Sequence, residues 1–514
     1  MVSPRVSRHA LVAGAVALTA LASSSASFAQ QGETVLRVVA PWEYTSNDPA
    51  DTGYILARMG IAETLVQVEP DGKLVGGVAG SWSVDPDRLT WRFALRSGAT
   101  FHDGYPVTAV AVAASLKAAF AGESLSAVPL DAVTAEGDRV AIRTKTPFSV
   151  LPAFLTDYAA VILAPSSYAA DGKVQKIVAT GPYRIAAIEG KTTLELDRFE
   201  GHSRAKPAIA KARYTAVGNG DTRANIAVAG DADLVFTLAP TAVPRIDGAG
   251  AMKVERVTIP RIRPIALNSG LPQFEDIRVR RAISMAIDRA GIASAILRHP
   301  DSTATQLLPP SLKEWHDPSL PALTYDLEGA KRLLADAGWM PGADGIRVKG
   351  GARLAAKMLT LSNRPELPVM ATAIQGQLRQ VGMEIAIEVG PSPIIPAAIK
   401  DGTMQMTMFA RTYVNVPEVI ATIIPDYTRE RSTWGTMNWP GRDQIKPLAQ
   451  EYVQSFDDAR KAVLRRDIMR IIHDEAPVIP VSWFEHTVAV SKRIEGVEID
   501  PYEMRYLIDR VRFR

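Results

Sequence analysis

The chain has no cysteine among its 514 residues. That excludes disulfides, thiolate metal sites and a cysteine nucleophile. It also suits an oxidising compartment, because no thiol is present to mispair. A net excess of positive or negative residues is missing too. Once Arg5 and Arg8 are set aside with the N-terminal segment, 56 Lys+Arg face 55 Asp+Glu. A nucleic-acid surface would need a basic stripe that this balance does not supply. Histidine is scarce, at seven residues. His102, His202, His299, His316, His473 and His486 show no i, i+4 spacing or tight pairing of the kind that holds a metal. Long apolar runs are absent beyond the N-terminus, so no later stretch reads as a membrane helix. G-x-S-x-G, H-E-x-x-H and P-loop motifs are absent as well.

The N-terminal 29 residues read as an export signal: a basic start at Arg5, Arg8 and His9, an apolar run from Ala10 to Ala22 too short to span a bilayer, and small residues before Gln30. The remaining 485 residues are too many for one core and imply two or three domains. The mature chain is expected to be exported and free of the membrane.

Strand and helix patterns alternate along the chain, which places it in the α/β or mixed class. Thr34–Ala40 is rich in β-branched residues and reads as a strand; Pro41–Gly53 reads as a loop. Leu89–Arg96 alternates as a half-buried strand should. Thr108 is placed to cap the helix that follows it. Asp276–Leu297 is expected to be one helix, with Val279, Ala282, Ile283, Ala286 and Ala290 on its apolar face. Gly338 and Gly382 stand where helices stop, and Pro477 halts the last long helix.

"TFHDGYPVTAVAVAASL" (Thr100–Leu116) sets His102 beside Asp103. Adjacent side chains on a turn diverge, and a general base needs its partner within hydrogen-bond reach. The pair therefore reads as turn architecture, with Gly104 free to take a positive φ.

Several landmarks fall in an order that resembles a known family. They are Glu63–Val66 ("ETLV"), Ala79-x-Ser-Trp82, Arg96-x-Gly98, Phe101-His-Asp-Gly-x-Pro106, "TGPYRI" (Thr180–Ile185), "DTRANIAVAGDADL", "ALNSG" and "IRVRRAISMAIDR". Together they are similar to the extracytoplasmic solute-binding proteins of ATP-driven importers, peptide/nickel/opine family (family 5). The likeness runs from about Leu36 to Val490.

The resemblance implies a bilobal periplasmic-binding-protein fold (type II, cluster C-like) with an extra inserted small domain. Residues 30–63, 168–264 and 479–514 would form the base domain, 64–167 the insert and 265–478 the second lobe. Hinge crossings are expected near Pro264–Asn268 and Val478–Trp483. It further implies a non-enzymatic, monomeric receptor that closes over a small polar solute (a peptide, an opine-like compound or a metal chelate) and delivers it to an inner-membrane permease. No cofactor, resident metal or nucleic acid is expected. The contrasting reading is a secreted two-domain hydrolase, since paired carboxylates can hide among 55 acids.

A binding cleft needs aromatic walls and a few convergent polar groups. Met406–Trp439 supplies both, so the candidate ligand contacts are Arg411, Thr412, Tyr413, Asn415, Trp434 and Trp439, with Tyr44 and Tyr158 from the other lobe. Arg411 suits a two-pronged grip on a carboxylate. The other reading is that Arg411 pairs with a structural acid and the aromatics are core. The peptide branches carry an aspartate loop after this strand; here "TYVNVPEV" has none, and Glu418 sits one position late. The nickel branch resembles Arg411-Thr412-Tyr413, but no histidine follows in the next loop. Its cleft arginine on the insert aligns with Tyr158. His486 is the one histidine placed just past a hinge crossing.

Overall fold

The computed structural model describes residues 34–514 apart from Ala205, Asn415 and Thr433. The expected signal segment and the candidate contact Asn415 therefore lie outside the described residues.

Two long strands dominate the architecture. Met252–Leu267 and Val478–Ser491 pair antiparallel along almost their whole lengths. At about 3.3 Å per residue such strands run for roughly 50 Å, enough to serve two halves of one molecule. They lie in the middle of an eleven-stranded sheet. On one side come Leu234–Phe236, Val35–Ala40, Lys211–Ala216, Thr193–Arg198 and Tyr183–Glu189. On the other come Met406–Met408, Ala355–Leu361 and Glu384–Gly390, while Arg411–Thr412 pairs with the Arg261–Ile262 stretch. The expected boundaries at 264/265 and 478/479 fall inside this central ladder.

Proline shapes the ladder. The register slips between Ile259 and Ile262 and again between Arg263 and Pro264, where Pro264 faces Pro480. Proline cannot donate to a ladder and is tolerated at bulges. Pro260 and Arg261 sit in the first slip, and the strand Arg411–Thr412 takes up pairing there.

A separate four-stranded antiparallel sheet is built from Ala79–Val84, Thr90–Leu95, Arg139–Thr144 and Leu130–Glu136. The helix Ala109–Phe120 packs on it, with the Thr108 hydroxyl accepting from the Ala111 amide at 3.2 Å. Gly137 (φ +64°) turns the hairpin. Apolar side chains of this unit join one continuous core with those of the half that carries Ala355–Leu361. A second core lies around Leu36, Val38 and Leu196 in the other half.

The turn at His102 is architecture. Its ring Nε2 lies 3.0 Å from the Gly181 carbonyl oxygen, while Nδ1 accepts from the Ala179 amide at 3.4 Å. Asp103 accepts instead from the Tyr105 amide and the Ser166 hydroxyl. Gly104 has φ +83°.

The helix expected over 276–297 is interrupted. It runs over Ile277–Met285, restarts as Arg289–Gly291 and ends in a π turn, Ile292–Ile296. The cause is the buried Arg289, whose guanidinium bonds the Ser284 and Pro480 carbonyls and the Ser284 hydroxyl. Asp288 caps the restart by accepting from the Gly291 amide. The tertiary contact with the 478–491 strand overrides helical periodicity here.

Candidate functional site

Where the two halves of the sheet meet, a cavity of about 300 Å³ opens. Its walls come from both halves: Trp42, Tyr54, Arg58 and Tyr158 on one side, Arg364, Thr412 and Val414 on the other, with Arg261, Tyr502, Glu503 and Met504 between.

Local folding explains how each group arrives. The helix Pro49–Arg58 begins with Asp48, whose carboxylate accepts from the Ala50 amide, and with proline at its first position. That start sets the helix phase, so Tyr54 and Arg58, one turn apart, share a face toward the cavity. The Arg58 guanidinium lies 4.3 Å from the Trp42 ring centroid, and its Nε donates to the Glu503 carbonyl oxygen at 2.8 Å. Trp42, Tyr54 and Tyr158 form an edge-on chain, with ring centroids 6.0 and 5.8 Å apart.

Arg261 reaches the cavity from the proline bulge. Its Nε donates to the Thr412 hydroxyl at 2.8 Å, and its Nη2 lies 2.6 Å from the Glu503 carboxylate. Burial pulls the Arg261 pKa down to about 10 against the attraction of Glu503, which still leaves it charged at neutral pH. Glu503 itself has φ +56° and a buried side chain. Burial alone would raise its pKa, but Arg261, then His486 and Arg58, outweigh that and hold it at about 2. Arg263, one step behind, is matched by Glu366 at 3.2 Å. The Arg364 guanidinium packs 5.7 Å from the Phe484 ring centroid and makes no hydrogen bond or ion pair among the described residues.

Three guanidinium groups thus line a cavity where, among the described residues, the one lining carboxylate is Glu503. At an interlobe surface, where the effective dielectric is well below that of water, this excess of positive charge favours an anion.

The residues expected from sequence are distributed unevenly. Tyr158 and Thr412 line the cavity. Arg411 lies behind it: its Nε and Nη2 donate to the two Asp426 carboxylate oxygens at 2.6 and 2.9 Å, and the Asp426 side chain is buried. The expectation of a free two-pronged grip on a ligand does not match this geometry, because the fork is already closed on Asp426. Tyr413 is buried with its hydroxyl 2.5 Å from that of Tyr427. Trp439 is buried edge-on to Tyr427, and Trp434 packs on Phe409. Tyr44 is buried and donates to the Asn47 side-chain oxygen. None of these five lines the cavity. His486 is buried 3.6 Å from Glu503, and burial lowers its pKa to about 4.

The charged and aromatic groups not foreseen are Arg58, Arg261, Arg364, Glu503, Trp42, Tyr54 and Tyr502. One signal for Arg261 was present, since Pro260-Arg-Ile-Arg-Pro264 places two charges in the otherwise apolar stretch from Ile259 to Leu267. Among the described residues no group of three or more His, Cys, Asp or Glu is arranged to hold a metal ion. No helix among them is long and apolar enough to cross a membrane.

Comparison with known proteins agrees with this architecture. The family of bacterial extracellular solute-binding proteins, family 5 Middle, matches residues 73–428. The chain is 24% identical to the nickel-binding periplasmic protein of Escherichia coli (strain K12) over 499 residues, covering 91% of this chain and 94% of that one. It is 25% identical to the glutathione-binding protein GsiB of Shigella flexneri serotype 5b (strain 8401) over 528 residues, covering 96% and 97%. In fold it is similar to NikA from Brucella suis, solved in complex with Fe(III)-EDTA, with a TM-score of 0.85 at 21% identity over 94% of this chain and 100% of that one. A bilobal α/β architecture with a charged interlobe cavity, together with a family match over more than two thirds of its length, places this chain among the family 5 extracellular solute-binding proteins, the periplasmic receptors of ABC importers.

Proposed function

We propose that the solute captured by this receptor is a small organic anion carrying at least two negative charges, free or as a carboxylate-bearing metal chelate, held between the lobes and passed on unchanged to the inner-membrane permease. The observation that carries the reading is the imbalance of Arg58, Arg261 and Arg364 against Glu503 alone. A guanidinium grips a carboxylate through paired N–H groups, and the Trp42–Tyr54–Tyr158 wall covers the carbon body.

The expected contacts Tyr158 and Thr412 belong to this reading directly. Arg411 and Tyr413 support it from behind, by fixing the strand that carries Thr412. The glutathione named for one relative and the Fe(III)-EDTA bound in NikA from Brucella suis both carry two or more carboxylates, which is compatible with a carboxylate-bearing solute.

Mass spectrometry of the solute that copurifies with the periplasmic protein tests the reading. A compound with two or more carboxylates, released unchanged on unfolding, is the expected result. A neutral or purely cationic solute would overturn it.

A further inference from the structure

A second cavity of about 630 Å³ lies next to the arginine cavity, and the two share Val414 and Tyr502 as common wall. It is framed by three loops, around Gly72, Ser311 and Glu418. Tyr502 stands between the cavities because Gly72 leaves room for it. A Cβ at Gly72 would sit 2.5 Å from the Tyr502 hydroxyl oxygen, and Gly72 holds φ +90°. The charge pattern also changes across this wall. Among the described residues the second cavity is lined by two lysines, Lys73 and Lys313, against Asp71, Glu314 and Glu418, and by no arginine. Glu418 accepts from the Tyr452 hydroxyl at 3.2 Å, and Arg465 reaches Glu314 at 3.0 Å.

Resting on the anionic reading above, we infer that the solute has two parts: a polyanionic head in the arginine cavity and an extension without net negative charge that passes over Val414 and Tyr502 into the second cavity. An arginine cavity of about 300 Å³ is at the lower end of what small-molecule sites occupy. The adjoining space raises the capacity to that of a solute several times larger. Its lining mixes two lysines with three carboxylates, Glu314 being paired by Arg465, so a second anionic end would find no positive excess like that of the arginine cavity. Tyr502 is then a specificity-determining residue, set at the junction of head and extension.

Two synthetic probes separate the ideas. Both carry the same head, propane-1,2,3-tricarboxylate with one end carboxylate amidated. One bears methylamine and the other triglycinamide. Titration calorimetry on the unliganded full-length mature protein should show the triglycinamide probe binding at least tenfold more tightly. Ser311→Trp, filling the second cavity from its rim, should remove that gain and leave the methylamide affinity unchanged; Lys313→Trp, from the same exposed loop, should repeat the effect should the first variant fold poorly. Equal affinities for the wild type, or a gain that survives both tryptophans, would overturn the two-part solute while leaving the anionic head intact. If neither probe binds the wild type, the anionic reading itself fails and this inference fails with it.

Discussion

Trp91, on the small four-stranded sheet, stacks on Phe456, which links two helices of the opposite half; their ring centroids are 5.9 Å apart at an interplanar angle of 27°. Around this pair the Ser149 amide donates to the Val453 carbonyl at 2.7 Å, and Arg88 lies 5.5 Å from the Phe456 ring centroid. These contacts lie outside the arginine cavity, yet they join the small sheet to the half that carries Arg364 and Thr412. Two-lobed receptors close by rotation about a hinge, so contacts that form only on closure set the open–closed balance.

Phe456→Ala should therefore favour the open form. A stacked pair contributes about 0.5–1.5 kcal/mol beyond its buried area, which corresponds to roughly a twofold to thirteenfold loss of affinity for the copurifying solute. Small-angle scattering of the liganded variant should show a larger radius of gyration than wild type. Identical scattering and affinity would assign the contact to static packing.

Arg364 and Arg411 should separate cleanly. The Arg364 guanidinium has no hydrogen-bonded partner among the described residues, so Arg364→Ala should cost about 2–4 kcal/mol of solute affinity, as for loss of a partner in a charged hydrogen-bonded contact. Its thermal midpoint without solute should hardly move. Arg411→Ala leaves Asp426 buried and unpaired, and should cost about 3 kcal/mol of folding stability. Urea unfolding and calorimetry on the two variants provide the check; the reverse pattern would move the anion site to Arg411.

Stability should fall on acidification between about pH 6.5 and 4. Burial lowers His102 to about 4 from the ordinary 6.5, and its Nδ1 accepts an amide hydrogen that a protonated ring would refuse. The folded state thus binds fewer protons than the unfolded chain in this window. The stabilisation is complete above pH 6.5 and is lost as pH falls through it, by up to about 3 kcal/mol for one such histidine. His486, also lowered to about 4 by burial, adds in the same direction. Replacing His102 by Gln should reduce the difference between the unfolding free energies at pH 7 and pH 4.5; an unchanged difference would remove His102 from the account.

The mature protein should begin near Gln30. Intact-mass measurement on the periplasmic fraction should give a chain lacking residues 1–29, and retention of Met1 on a membrane-bound form would contradict the signal reading.

The sequence alone determined the class, the family likeness and the local punctuation. Thr108 caps its helix, Gly104, Gly137, Gly338 and Gly382 take the positive φ that their turns need, and the His102–Asp103 pair is a turn. These are legible because capping and glycine conformations depend on a few neighbouring residues. Tertiary structure decided the site. Arg58, Arg261 and Arg364 are some hundred or more residues apart in the chain, and nothing in their local sequence says that they share a cavity with Glu503. Likewise, an Arg411 fork closed on Asp426 and one open to a solute have the same local sequence pattern. What separates them is which carboxylate the folded chain brings within reach, because the strength of a buried charge pair depends on distance and desolvation, and only the packed fold sets those.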